Sequence, residues 1–189
     1  DYDDFEKGQS YLELNKTERD MVSMVCSNFD NVIVVYNGSN PMQMDWVDDF
    51  DQIKGVLLCP GTGSTGFNAL GEIIAGTIDP SGRTADTWLA DLDSAPYVNN
   101  IGDFTYDNID DYIEQIQAAD TGSLIPGTFV DYVENIYVGY KFYETAAEEG
   151  LVNYDEIVKY PFGYGLSYTS FSQQMGEITQ DGEGNLSFD

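Results

Sequence analysis

Polar residues with no clear period run from Asp1 to Asn15 and read as a lead-in. Met21, Met24, Val25 and Phe29 then recur at helical spacing, with Thr17 and Asp20 as a capping pair, which predicts a first helix. The run NVIVVYN (Asn31 to Asn37) is continuous and β-branched, and Gly38-Ser39-Asn40-Pro41 ends it. Such a run suits a strand covered on both faces. Met44 to Phe50 is a short helical candidate carrying Trp46, and IKGVLLC (Ile53 to Cys59) is a second buried strand. Phe67, Leu70 and Ile74 form an apolar stripe along a helix from about Gly66 to Ala75, which Gly76 stops. Helix, strand, helix, strand, helix is the pattern of an α/β fold with a mainly parallel sheet flanked by helices.

After Trp88 the pattern loosens. Asp91 to Phe104 reads as an irregular connection, and Ile109, Tyr112, Ile113 and Ile116 make one helix face. Thr121 to Gly127 reads as loop, and NIYVGYKFYET (Asn135 to Thr145) has strand propensity. As a strand it would direct Ile136, Val138, Tyr140 and Phe142 to the core, and Tyr137, Gly139, Lys141 and Tyr143 to a surface or interdomain face. The aromatic and glycine run YPFGYGLSYTSF (Tyr160 to Phe171) fits neither period, and the tail after Gln173 is short and polar.

Composition narrows the chemistry. The 189 residues make one sizeable core, and 42% apolar with 14% aromatic residues is the content of a folded chain. A formal charge of −27 opposes binding to nucleic acid or anionic lipid, both of which need clustered Lys and Arg. No apolar run is long enough to cross a membrane, and no signal peptide opens the chain. The start at Asp1 without Met predicts a processed protein or a piece of a longer one. Two cysteines and no histidine rule out a Ser-His-Asp triad, a Cys-His pair and a histidine metal site, which leaves carboxylate chemistry or none. Cys26 and Cys59 read as buried thiols.

The stretch CPGTGSTGFNALGEIIAG (Cys59 to Gly76) has the outline of a phosphate cradle, a strand leading through a glycine-rich loop into a helix. A cradle needs backbone amides at a helix start and, as a rule, a Lys or Arg to match the charge. Neither Lys nor Arg occurs between Cys59 and Gly76, so a tight strand-to-helix turn explains the glycines better.

Three ordered motifs carry a family resemblance. GFNALGEIIAGTIDPSGRTADTW (Gly66 to Trp88), IYVGYKFYET and YPFGYGLSYTSF resemble successive segments of the C-terminal region of glycoside hydrolase family 3, and VIVVYNGSNPMQMDW resembles the strand before them. The resemblance covers most of Asn15 to Phe171. Two departures stand out: the chain has Pro60-Gly61-Thr62-Gly63-Ser64-Thr65-Gly66 where the family usually has P-G-Q/E-E-G-G, and Asp79 where it usually has Asn. The resemblance implies a flavodoxin-like α/β sandwich over residues 1–171, with its N-terminal part missing. It also implies that 172–189 is a linker or the first strand of a truncated fibronectin type III-like module, too short to fold alone and so disordered or borrowed as an edge.

The family is one of retaining exo-acting β-glucosidases and β-xylosidases. The implied site lies between this domain and a (β/α)8 barrel, with two carboxylates about 5 Å apart. The barrel, which supplies the aspartate nucleophile, needs about 250 residues and is not in this chain. The acid/base glutamate commonly sits in a G-E-G stretch upstream of the first helix; neither Glu6 nor Glu13 has that setting, so the resemblance implies a residue before Asp1, with Glu6 the lesser, in-chain candidate. The chain alone is therefore expected to be inactive, with a carbohydrate and the barrel as partners and neither cofactor nor metal. The alternative is a non-catalytic flavodoxin-like binding or scaffolding module.

Among the remaining residues, Asp48-Asp49-Asp51 and Asp107-Asp110-Asp111 lack the ligand alternation of a calcium loop and read as solvated faces. Trp46 and Trp88 read as core, and Arg83 as a structural donor to a carbonyl or carboxylate. Acidity without a disulfide pattern suits a secreted or a cytoplasmic bacterial enzyme, with secretion favoured.

Overall fold

The computed structural model describes residues 9–98, 106–108, 129 and 132–187. The first helix, α1, spans Lys16–Asn28. Its cap is Asn15, not the expected Thr17: the Asn15 side chain accepts from the Glu18 amide at 2.8 Å and the Glu18 carboxylate accepts from the Asn15 amide at 3.0 Å. This reciprocal box satisfies two otherwise orphaned donors. Replacing Asn15 with alanine is expected to cost about 1 kcal/mol, read as a lowered melting temperature, and an unchanged value would deny the cap its role.

Strands β1 (Val32–Tyr36) and β2 (Ile53–Leu58) pair in parallel, with Val34 opposite Val56 and Tyr36 opposite Leu58. The link between them carries a single 3-10 turn, Asp45–Asp49, that buries Trp46. Helix α2 (Phe67–Ile74) follows β2. The expected α/β order and parallel pairing are therefore present, but the cover is not. Ile33 is 51% exposed and Val35 38%, so β1 is half-buried on one face and open on the other. On α1, Val22 and Val25 are half-buried and Cys26 is buried, whereas Met21, Met24 and Phe29 of the expected stripe are exposed. On α2, Phe67 and Ile74 are each 52% exposed.

The second part of the fold hangs on β3 (Trp88–Leu89), which pairs antiparallel with β4 (Val158–Tyr160). Successive strand residues point to opposite sides. Trp88 accordingly enters a cluster with Leu14, Met42, Met44 and Trp46, while Leu89 enters another with Leu92, Ala95, Tyr143 and Val158. Two residues thus join the two cores. Gln43 reinforces the first: its amide donates to Leu12 O at 2.8 Å, its carbonyl accepts from Trp46 Nε1 at 2.9 Å, and its side-chain oxygen accepts from the Leu92 amide at 3.2 Å. The core assignments of Trp46 and Trp88 hold, as does the buried, free thiol of Cys26; Cys59 is free but only half-buried.

The segment expected as a strand from Asn135 to Thr145 is instead a 3-10 turn, Asn135–Tyr137, followed by helix α3 (Tyr140–Glu148). Gly139 stands between them at φ 72°, a conformation that breaks an extended run and that glycine adopts without strain. Burial inverts with it. Tyr143 and Ala146, three apart on one helix face, are buried, while Ile136, Val138 and Tyr140 are exposed. A short helix, α4 (Tyr154–Ile157), leads into β4. The tail, expected to be disordered or a borrowed edge, makes its own hairpin from β5 (Thr179–Gln180) and β6 (Leu186–Ser187). The helix face expected from Ile109 to Ile116 and the loop from Thr121 to Gly127 lie outside the described residues.

Candidate functional site

Ligands of parallel α/β sheets gather at the carboxyl ends of the strands. Here that crest consists of the segments that follow Tyr36 and Leu58. Asn37 Nδ2 donates to Cys59 O at 2.6 Å and so ties the two exits together, while Tyr36 Oη donates to Asn40 O at 2.7 Å and turns the first loop back. Gly61 and Gly63 take φ values of 57° and 59°, which lets the second loop reverse before α2 begins. The loop is a tight turn lined with Thr62, Ser64 and Thr65, and it offers neutral hydroxyls in place of a basic side chain.

A clasp lies farther along the chain, between the turn 79–84 and the segment 161–169. The Thr84 amide donates to Tyr164 O and the Gly163 amide to Thr84 O, both at 2.8 Å. Thr84 Oγ1 donates to Pro161 O at 2.5 Å and accepts from the Tyr164 amide at 2.9 Å. Arg83 Nη1 donates to Gly165 O, the structural role its sequence context suggests. Stacked rings flank the clasp: Phe162 lies on Tyr140 with centroids 4.2 Å apart, and Tyr164 on Tyr160 at 5.3 Å. Asn37 and Thr84 carry these links and are not singled out as anchors by the sequence, although each sits beside a turn or strand end, where short polar side chains bond to backbone.

Among the described residues the titratable groups show no catalytic pair, and no charged side chain is buried. Asp79 and Asp181 both lie below the usual carboxylate range, the first chiefly through the Tyr168 amide and the second chiefly through the Asn185 side chain; a general acid needs the opposite shift. The shifts upward belong to phenols and to Lys16, which the Asp20 carboxylate raises. Burial raises Tyr143, and burial with the Glu144 hydrogen bond pushes Tyr154 up to about 12. Asp48 pairs with Lys159, which gives that acidic cluster a structural contact, and no group of three or more potential ligands among the described residues is placed to hold a metal. Glu6 and the cluster residues Asp110 and Asp111 lie outside the described residues.

The profile of the glycosyl hydrolase family 3 C-terminal domain matches residues 3–168. The chain belongs to glycosyl hydrolase family 3. It is 37% identical to beta-glucosidase A of Butyrivibrio fibrisolvens over 167 residues, 88% of this chain and 17% of that enzyme. It is 30% identical to an exo-alpha-(1->6)-L-arabinopyranosidase of Bifidobacterium longum over 150 residues, 78% of this chain and 15% of that enzyme. Among solved structures, a beta-glucosidase of Paenibacillus barengoltzii superposes with a TM-score of 0.67 at 27% identity, covering 95% of this chain and 16% of the other. The chain therefore spans about a sixth of the length of these relatives and corresponds to their C-terminal α/β domain.

Proposed function

We propose that this domain forms one wall of a retaining β-glycosidase site, completed by a (β/α)8 barrel that supplies the nucleophilic aspartate. The family match over residues 3–168 carries this reading. The named relatives include a beta-glucosidase and an arabinopyranosidase, so the substrate class is a terminal, non-reducing glycosyl unit, with β-glucosides the first choice.

In this reading the domain contributes binding and water exclusion, not the bond-breaking groups. Retaining hydrolysis needs a nucleophile that attacks the anomeric carbon and an acid that protonates the leaving oxygen, the two about 5 Å apart. The described carboxylates are solvated, capped or bonded to backbone donors, which supports placing both catalytic groups elsewhere in the polypeptide; Glu6 is the one in-chain residue retained as an acid/base candidate. The crest made by Asn37, Cys59 and the 60–66 loop lines the sugar side with neutral polar groups. The open apolar faces of β1 and α2 support contact with further domains, because uncovered patches of this kind mark interaction surfaces. Residues 172–189 are assigned as the link toward a following module.

The test compares the 189-residue chain with the complete polypeptide on aryl glycosides. The complete polypeptide is expected to release the aglycone from an aryl β-glucoside, and the isolated chain to be inert. Turnover by the isolated chain would overturn the assignment of a supporting role, and an inert complete polypeptide would overturn the assignment of the reaction.

A further inference from the structure

We propose that Asp79 is a proton-controlled latch: its ionised carboxylate holds residues 167–169 on the turn 79–84, and protonation releases them together with the chain that follows. Three donors from one short segment converge on this carboxylate. The Tyr168 amide donates to Oδ1 at 3.0 Å, while Ser167 Oγ at 2.9 Å and Thr169 Oγ1 at 3.4 Å reach Oδ2. The Thr169 amide in turn donates to Ser167 Oγ at 3.3 Å, which leaves the Ser167 proton free to point at Asp79. The carboxylate is the acceptor on which the Tyr168 amide and the two hydroxyls converge, the hydroxyls also lying 3.2 Å from each other, and a protonated carboxyl would place one more donor among these donors.

The charges around Asp79 leave this carboxylate as the acid-sensitive element. The segment packed against it, 161–169, contains only Tyr164 and Tyr168 as titratable residues, and phenols do not titrate in acid. On its own turn, Arg83 directs its guanidinium to Gly165 O. The three hydrogen bonds favour the ionised form, the Tyr168 amide being the largest cause, and hold the group below its ordinary value of 3.8. A depressed carboxylate contributes stability above its unfolded pKa and loses it as pH falls through the folded one. The latch is thus closed at neutral pH and opens below 3.8. Release stops at residue 167, because the Thr84 bonds to Pro161, Gly163 and Tyr164 involve no group that titrates in acid. The hairpin beyond, β5 and β6, would then swing on the chain after Thr169.

The test is amide hydrogen exchange of the 189-residue chain, expressed as protection factors between pH 6 and 2. Tyr168 is expected to lose protection at least tenfold with a midpoint below 3.8, while Gly163 and Tyr164 keep theirs. In Asp79→Asn, whose carbonyl still accepts from the Tyr168 amide but does not titrate, the acid step should vanish. In Asp79→Ala, Tyr168 should be unprotected at pH 6 already. Simultaneous loss at Tyr168, Gly163 and Tyr164, an acid step that survives in Asp79→Asn, or full protection of Tyr168 in Asp79→Ala would each overturn the latch.

Discussion

Replacing Trp46 with alanine is expected to cost about 3–5 kcal/mol of folding stability. The ring is 4% exposed and packs with Leu14, Met42, Met44 and Trp88, of which Met44 is wholly buried. Truncation removes the apolar area of one of the two largest side chains in this cluster and leaves a cavity that its neighbours fill only in part. The indole also donates to Gln43 O, and that carbonyl would lose its partner. A domain of this size has about 5–15 kcal/mol in total, so the variant should be largely unfolded at a modest urea concentration. Trp88, the other tryptophan, reports the transition by fluorescence. A loss below about 1 kcal/mol would mean that the cluster around Met44 is not the core that holds β1 and β3 together.

The second large effect is expected at Gly165. A Cβ added there would lie 2.3 Å from Gly82 O and 3.0 Å from Arg83 Cδ. The arginine stem can move, but the carbonyl belongs to the turn that the clasp grips, and it moves only if the clasp opens. Gly165→Ala is therefore expected to cost about 1–3 kcal/mol through overpacking, with the damage concentrated in residues 79–84 and 161–169. Amide exchange at Thr84 and Gly163 should rise together, because the two amides belong to one set of cross-bonds. An alanine variant with native protection at both positions would show that the segments do not lie in the close contact described.

These two sites differ in how readable they were. Trp46 sits beside apolar runs, and burial follows from composition and position alone. The parallel pair was legible for the same reason, since β-branched runs separated by helical segments leave little choice of topology. Gly165 belongs to a run with no period, and its role depends on a carbonyl more than 80 positions away, which no local pattern encodes. The segment after Asn135 shows the opposite failure. Its β-branched and aromatic residues favour a strand, yet Gly139 resets the backbone and the i, i+3 pair Tyr143 and Ala146 finds the core as a helix. Propensity lost there to tertiary packing.

The expected stripes on α1 and α2 were legible as helices but not as burial. Met21, Met24, Phe67 and Ile74 have the right spacing and still face outward, because spacing states which side is apolar and not whether anything covers it. Of the candidate site, the absence of a cation in the 59–76 loop was plain from residue types. The link from Asn37 to Cys59 was not, since it joins two loops through a single side chain. The three motifs that resemble family 3 located the clasp without revealing its bonds. Those bonds explain why Asp-Pro-Ser-Gly-Arg-Thr and Tyr-Gly-Leu-Ser-Tyr-Thr occur in one chain: each supplies donors and acceptors that the other needs.

The most direct measurement of the central claim follows the anomeric proton of the first sugar released from an aryl β-glucoside by the complete polypeptide, with the 189-residue chain run in parallel. A supporting wall beside a two-carboxylate retaining site predicts β-glucose as the initial product from the complete polypeptide and no product from the chain alone. Initial α-glucose from the complete polypeptide, or any release by the isolated chain, would contradict it.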